Sequence, residues 1–159
     1  MWIKVGTVWK VIFVTYVCLL LYFVVIKFNG SIDRIISIKE SRDSGYWNYN
    51  LYPFRTIRPY LESILNSYAY INIFGNIVPF VPMGFFIPII SKKYINALIT
   101  FFISLICIIG IEIFQFITML GFFDIDDILL NAFGCIIGYG IYAVFNKLFS
   151  KQSHIFQKV

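Results

Sequence analysis

Charged residues are scarce in this chain of 159 residues, where Asp, Glu, Lys and Arg together make up 13%. A soluble domain usually carries about a quarter charged residues, so the chain has too little polar surface to cover a fold in water. Hydrophobic residues make up 60% of the chain and aromatic residues 20%. This balance excludes a disordered chain and a coiled coil, and it predicts an integral membrane protein.

Motifs for metals, cofactors and hydrolytic enzymes are missing from the sequence. The single histidine, His154, lies in a polar tail, and Cys18, Cys107 and Cys135 lie in apolar stretches without a CxxC spacing. We therefore expect free cysteines, no metal and no cofactor. Without a Ser/His/Asp set, an HExxH, a P-loop or a GxGxxG, any enzyme chemistry would depend on carboxylates.

The net charge of +5 comes from 13 Lys and Arg against 8 Asp and Glu. No basic run with stacking aromatic residues lies outside the apolar segments, so the excess charge is not typical of a nucleic-acid-binding protein. Positive charge is also expected beside anionic lipid headgroups. We expect membrane lipids as partners and no nucleic acid, while the oligomeric state is not set by the sequence.

Four apolar segments are long enough to cross a bilayer, which takes about 20 helical residues. They cover residues 8–28, 70–90, 95–120 and 125–149. The second segment contains Pro79, Pro82, Pro88 and Gly84, which predict a kinked helix. The sequence therefore predicts a single all-α membrane domain over residues 1–159 with four transmembrane helices.

A polar loop over residues 29–69 joins the first two segments, and its many aromatic residues are typical of a segment that rests at the membrane interface. The turn at 91–94 and both termini carry lysines, whereas the turn at 121–124 has no Lys or Arg. The positive-inside rule then predicts that both termini are cytoplasmic. The basic residues of the long loop oppose this orientation.

Polar side chains recur on one face of each of the last three segments, at spacings of three or four residues. They are, in chain order, Asn72, Asn76, Glu112, Gln115, Asp124, Asp127 and Asn131. A rise of about 1.5 Å per residue brings Asn76, Glu112 and Asn131 to a similar depth, near the face opposite the termini. We therefore predict one shared polar layer. Asp126 points about 100° away from Asp127 and is expected to face solvent.

These seven residues are candidate ligands for a headgroup, a sugar or a peptide, and Glu112 and Asp127 are also candidates for acid/base catalysis. An intramembrane carboxylate is costly to bury, which favours a functional role for Glu112. The alternative is that the amides join helices by hydrogen bonds and that Asp124 and Asp127 cap the fourth helix. Gly134 and Gly138 form a GxxxG pattern that predicts close helix packing.

Three stretches of this sequence together resemble the VanZ-like family of membrane proteins, which is associated with teicoplanin resistance. They are Asn50 to Ile57, Asn76 to Phe85, and Ile111 to Gly138 with its Asp124-Ile125-Asp126-Asp127 segment. The family's motif residues fall here on Asn76, Pro82, Gly84, Glu112, Gln115, Asp124, Asp127, Asn131 and Gly134. Many members carry a basic residue just before the first Asp, where this chain has Phe122 and Phe123.

The resemblance implies a small multi-span protein of the bacterial cell membrane that lowers sensitivity to teicoplanin, a lipid-tailed glycopeptide. The partner that it implies is a lipoglycopeptide or a lipid-linked cell-envelope precursor. Two alternatives stay open. The chain could be an intramembrane enzyme that uses Glu112 and Asp127 on a lipid-linked substrate. It could also be a small transporter built around the proline-rich second segment.

Overall fold

A computed structural model describes the backbone of residues 2–27, 32–62, 67–91 and 96–156, and the side chains of residues 7–23, 32–62, 69–91 and 96–148. The structure is almost entirely helical. The helices are α1 (Trp2–Lys27), α2 (Ile32–Asp43), α3 (Ile57–Glu62), α4 (Ser67–Ile90), α5 (Ala97–Thr118) and α6 (Ile125–Phe156). Two short parallel strands, β1 (Tyr49–Asn50) and β2 (Phe123–Asp124), pair with each other.

Three of these helices are long and apolar enough to cross a membrane, over Ala69–Ile90, Ala97–Thr118 and Ile125–Leu148. Within the described residues, α1 contributes a shorter apolar stretch, Thr7–Phe23. The chain is therefore an all-α membrane protein, while the fourth transmembrane helix stays a prediction. The predicted boundaries at residues 28 and 95 lie outside the described residues.

α1 packs against α4 through aromatic side chains and one hydrogen bond. The Tyr16 hydroxyl donates to the carbonyl oxygen of Pro79 over 2.7 Å, and the ring of Trp9 contacts the rings of Phe85 and Phe86. Because residue 9 meets residues 85 and 86 while residue 16 meets residue 79, the two helices are antiparallel. α4 is one continuous helix through its three prolines, and the kink predicted for it stays a prediction.

The backbones of α4 and α6 are in direct contact at three glycines. A Cβ atom placed on Gly138 would lie 1.9 Å from the carbonyl oxygen of Val81, and one on Gly134 would lie 2.2 Å from that of Ile77. From the other helix, a Cβ atom on Gly84 would lie 1.9 Å from the carbonyl oxygen of Cys135. Only glycine permits this approach, and dispersion contacts at such short range drive helix association in lipid.

The ends of α5 are fixed by local hydrogen bonds. The Asn96 side chain accepts from the Ile99 N–H over 2.9 Å and caps the first turn. At the other end Met119 has a left-handed backbone with φ of 58°, and the Gly121 N–H donates to the carbonyl oxygen of Gln115. This turn ends α5 at Thr118, two residues before the predicted boundary, and directs the chain into β2 and α6.

We predict that Gly138→Ala destabilises the protein and that Gly140→Ala does not. The new methyl group at position 138 would overlap the α4 backbone, which should cost about 1–3 kcal/mol of unfolding free energy. Position 140 is open, so alanine there should leave stability unchanged or raise it by about 0.5 kcal/mol. Thermal unfolding of the purified variants in detergent measures both changes. Equal stability of the two variants would contradict the backbone contact.

Candidate functional site

One end of the helix bundle is polar, at the place where α4 begins, α5 ends and α6 begins. We call this region the polar end. Its buried polar residues, described side chains only, are Asn48, Asn50, Asn76, Glu112, Gln115, Asp124, Asp126 and Asn131. Three membrane helices and the loop before α4 all contribute to it, so it is the candidate functional site.

Residues predicted from separate helices contact one another at the polar end. The Asn76 side-chain amide on α4 donates to Oδ1 of Asp127 on α6. The Asp124 N–H, at the start of α6, donates to Oε2 of Glu112 over 3.4 Å, and Glu112 is only 2% exposed. Asn72 lies one turn before Asn76 and is half-buried. The Asn76 and Glu112 contacts therefore join α6 to both of its neighbours.

The Asp124 carboxylate joins the start of α6 to the loop. Its Oδ1 atom accepts from the Asp126 N–H over 2.9 Å, which is the hydrogen bond of a helix N-cap. The same atom accepts from the Asn50 side-chain amide over 3.0 Å, and Oδ2 accepts from the Thr56 hydroxyl over 2.6 Å. Asp124 thus has the capping role that the sequence allowed, together with contacts to residues about 70 positions away.

Asp126 is buried, and the prediction that it faces solvent is wrong. Its carboxylate is 0% exposed and accepts three backbone N–H groups of the loop, from Phe54 at 2.6 Å, Thr56 at 2.7 Å and Ile57 at 3.1 Å. Ile57 is the first residue of α3 and Thr56 directly precedes it, so Asp126 caps that helix from α6. Phe54 has φ of 65°, an uncommon conformation for a non-glycine residue that the bond to Asp126 helps to hold.

Arg42, at the end of α2, fastens the loop to the end of α5. Its guanidinium donates to the carbonyl oxygen of Phe116 and to Oδ1 of Asn48, and it stacks on the rings of Trp47 and Phe116. A cation is stabilising at a helix C-terminus, where carbonyl groups lack intrahelical partners. The Asn48 side-chain amide in turn donates to the carbonyl oxygen of Gly121 over 2.6 Å. These contacts align β1 with β2.

Tyr60 on α3 faces the acidic residues of the polar end. Partial burial raises the pKa of its phenol above the ordinary value of 10.0, and the negative charges of Asp127 and Asp124 raise it further. The phenol therefore stays protonated at neutral pH and keeps its O–H donor. Tyr60 was not predicted as a site residue.

Two buried amides at the polar end have unused acceptor atoms. Within the described part of the chain, Oε1 of Gln115 and Oδ1 of Asn131 have no hydrogen-bond partner, and each residue is 2% exposed. Gln115 lies one turn after Glu112 on α5, and Asn131 lies one turn after Asp127 on α6. An unpaired buried acceptor costs free energy, so these two oxygens are suited to receive donors from a bound molecule.

An apolar groove of about 910 Å³ runs between α1, α4 and α5. Leu20, Met83, Ile87, Cys107, Ile111 and Phe114 are among the residues that line it. Ile111 and Phe114 flank Glu112 on α5, so the groove reaches the level of the polar end. Along α5 the lining extends from Ile103 to Phe114, a rise of roughly 17 Å. These dimensions suit a hydrocarbon chain.

The residues that the loop contributes to the polar end were not predicted from the sequence. Arg42, Asn48, Asn50 and Thr56 were not predicted as site residues. One signal was present in the loop, where aromatic and amide residues alternate from Trp47 to Asn50, and the structure buries Asn48 and Asn50 on either side of exposed Tyr49. This alternation is typical of a strand with one covered face. In a loop rich in polar and aromatic residues, such a short alternation is not distinctive.

Comparison with known proteins gives a family match and one curated relative. The VanZ/LLP1 family model matches residues 13–146. Protein VanZ of Enterococcus faecium is 26% identical over 132 residues, which cover 83% of this chain and 71% of that protein. No solved structure matches this chain. The matched range includes every residue described above for the polar end.

We predict that Asp126→Ala releases the loop from the polar end. The variant loses the acceptor of three backbone N–H groups, and a single hydrogen bond to a charged group is worth about 1.5–3 kcal/mol. Trypsin should therefore cleave the Arg55–Thr56 bond at least about tenfold faster, since about 1.4 kcal/mol corresponds to tenfold in an opening equilibrium. Mass spectrometry of the digest follows this bond.

The matched control is Asp43→Ala, which removes an exposed acid of the same loop region. Its cleavage at Arg55 should equal that of the unmodified protein. A cleavage rate in Asp126→Ala that matches this control would show that Asp126 does not hold the loop.

Proposed function

Because the chain belongs to the VanZ/LLP1 family, we propose that it lowers bacterial sensitivity to teicoplanin-type lipoglycopeptides through its polar end. The observation that carries this proposal is the burial of Glu112 at the polar end, where its carboxylate accepts from the Asp124 N–H. A carboxylate at membrane depth is costly, and such residues usually mark a functional site. The polar end is the part of the molecule that would meet the polar portion of a ligand.

Lysine distribution supports an extracellular polar end. The connection between α4 and α5 includes Lys92 and Lys93, and Lys147, Lys151 and Lys158 lie in the last part of α6 and just after it. The turn between α5 and α6 lies at the other end of both helices and has no Lys or Arg. Under the positive-inside rule the polar end then faces the cell exterior, where a lipoglycopeptide acts.

The basic residues of the loop weigh less against this orientation because two of them, Arg42 and Arg58, have local partners. Arg42 binds the Phe116 carbonyl group and stacks on two rings, and Arg58 forms an ion pair with Glu62 over 2.8 Å. Both cations lie in the loop that covers the polar end. The proposal therefore places the loop at the outer membrane surface, above the ends of α5 and α6.

The apolar groove supports a ligand that is anchored in the membrane. A lipoglycopeptide or a lipid-linked cell-envelope precursor has a polar part and a hydrocarbon chain. The groove between α1, α4 and α5 lies beside the polar end on α5, so the two parts of such a molecule would have separate, neighbouring contacts. Binding at this position would keep the lipoglycopeptide from its target or shield the target itself.

Expression of the protein in a teicoplanin-susceptible Gram-positive host tests the proposal. The minimum inhibitory concentration of teicoplanin should rise, and Glu112→Gln should return it to the value of the host. Glu40→Gln is the control, because it neutralises an exposed glutamate on α2. Immunoblots of membrane fractions establish that all forms are present at equal levels. Unchanged sensitivity with well-expressed protein would contradict the proposal.

A further inference from the structure

The unused acceptors at the polar end point to the chemistry of a ligand. Oε1 of Gln115 and Oδ1 of Asn131 are buried and unpartnered in the described part of the chain. Gln115 lies one turn from Glu112 toward the end of α5, and Asn131 lies one turn from Asp127 toward the interior of α6. Four oxygen-bearing side chains from α5 and α6 thus share this region. A molecule that complements them must supply hydrogen-bond donors.

The negative charge of the polar end favours a donor group that is positively charged. The donors recorded for Asp124 and Asp126 are amide, hydroxyl and backbone N–H groups, and the Asn76 amide donates to Asp127. The groups that donate to Asp124 and Asp126 are neutral, so they satisfy hydrogen bonds without cancelling the negative charge of these two carboxylates. An anionic group would be repelled here, whereas a protonated amine would be attracted and would bring three N–H donors.

The arrangement favours an organic ammonium group over a metal ion. Among the described residues, no three Asp, Glu, His or Cys side chains lie close enough together to hold a metal. The unused acceptors are amide oxygens on two helices, and a primary ammonium group can donate to several such oxygens at hydrogen-bond distance. The apolar groove on the adjacent face of α5 offers space for an attached hydrocarbon chain.

We propose that the polar end binds the primary ammonium group of an amphiphile whose hydrocarbon chain lies in the groove between α1, α4 and α5. The ammonium group donates to Gln115 and Asn131 and lies beside the carboxylates of Glu112 and Asp127. The hydrocarbon chain passes Ile111 and Phe114 into the groove. This inference rests on the proposed function, because it specifies the ligand class of the same polar end.

Binding of dodecylamine to the purified full-length protein in detergent micelles tests the inference at pH 7, where an alkylamine is protonated. Two probes of the same chain length are compared with it. Dodecyltrimethylammonium has the positive charge but no N–H donors, and dodecanol has no charge. Dodecylamine should bind at least about tenfold more tightly than either, because only it can satisfy the two amide oxygens. Equal binding of all three probes would overturn the inference.

Substitutions at Asn131 separate an acceptor role from a structural one. Asn131→Leu removes the oxygen at similar size and should weaken dodecylamine binding about tenfold. Asn131→Asp keeps only acceptor atoms and should preserve or strengthen binding. Asn146→Leu changes an exposed asparagine near the other end of α6 and should have no effect. Thermal unfolding without probe establishes that each variant is folded.

Two results in the variants would overturn the inference. One is weaker dodecylamine binding in Asn131→Asp than in Asn131→Leu, which would mean that the site needs the amide N–H groups as donors. The other is displacement of bound dodecylamine by Mn²⁺ in a manner reversed by a chelator, which would identify a metal site.

Cys107→Trp, which fills the groove, should weaken dodecylamine binding and leave butylamine binding unchanged.

The binding data and the teicoplanin data can fail separately. If dodecylamine is not preferred but the protein still lowers teicoplanin sensitivity, the ligand class is wrong and the proposed function stands. If dodecylamine binds as expected but sensitivity is unchanged, the ammonium site stands and the teicoplanin role is wrong.

Discussion

The contact between the backbones of α4 and α6 is the constraint on which the polar end depends. Lipid tails are as apolar as the side chains of a membrane helix, so burying those side chains between two helices gains little free energy. Helix association therefore relies on close packing and hydrogen bonds. Gly84, Gly134 and Gly138 leave no Cβ atoms between the two helices. The short separation lets the Asn76 amide reach Asp127. Larger side chains at these glycines would part the helices and break that contact.

The loop and the acidic start of α6 stabilise each other. A two-residue parallel strand pair and a six-residue helix would not be stable alone, since isolated short elements form too few hydrogen bonds to offset their ordering. Asp124 and Asp126 supply the acceptors that hold the loop, and the loop supplies the donors that allow these carboxylates to be buried. The loop and the two carboxylates therefore satisfy each other's hydrogen-bonding groups, which would be costly to leave unpaired at a membrane surface.

This division of roles leaves two kinds of polar residue at one end of the bundle. Asp124 and Asp126 bind the loop, and their hydrogen bonds are explained by the fold. Gln115 and Asn131 are equally buried, yet each has an acceptor atom that the described protein does not use. Native proteins rarely leave such atoms unpaired. Ligand binding is therefore the simplest explanation for the unpaired oxygens of Gln115 and Asn131. The neighbouring apolar groove has space for the hydrocarbon chain of a membrane-anchored ligand.

Composition and helical periodicity by themselves determined the membrane class, the apolar helices and the faces that carry Asn76, Glu112, Asp127 and Asn131, because these properties depend on residues near each other in the chain. The burial of Asp126 and the roles of Arg42, Asn48, Asn50 and Thr56 were decided only by tertiary structure. A helical wheel shows which face a side chain occupies but not what covers that face. Here the cover comes from a loop about 70 residues earlier, whose hydrogen bonds no local pattern specifies.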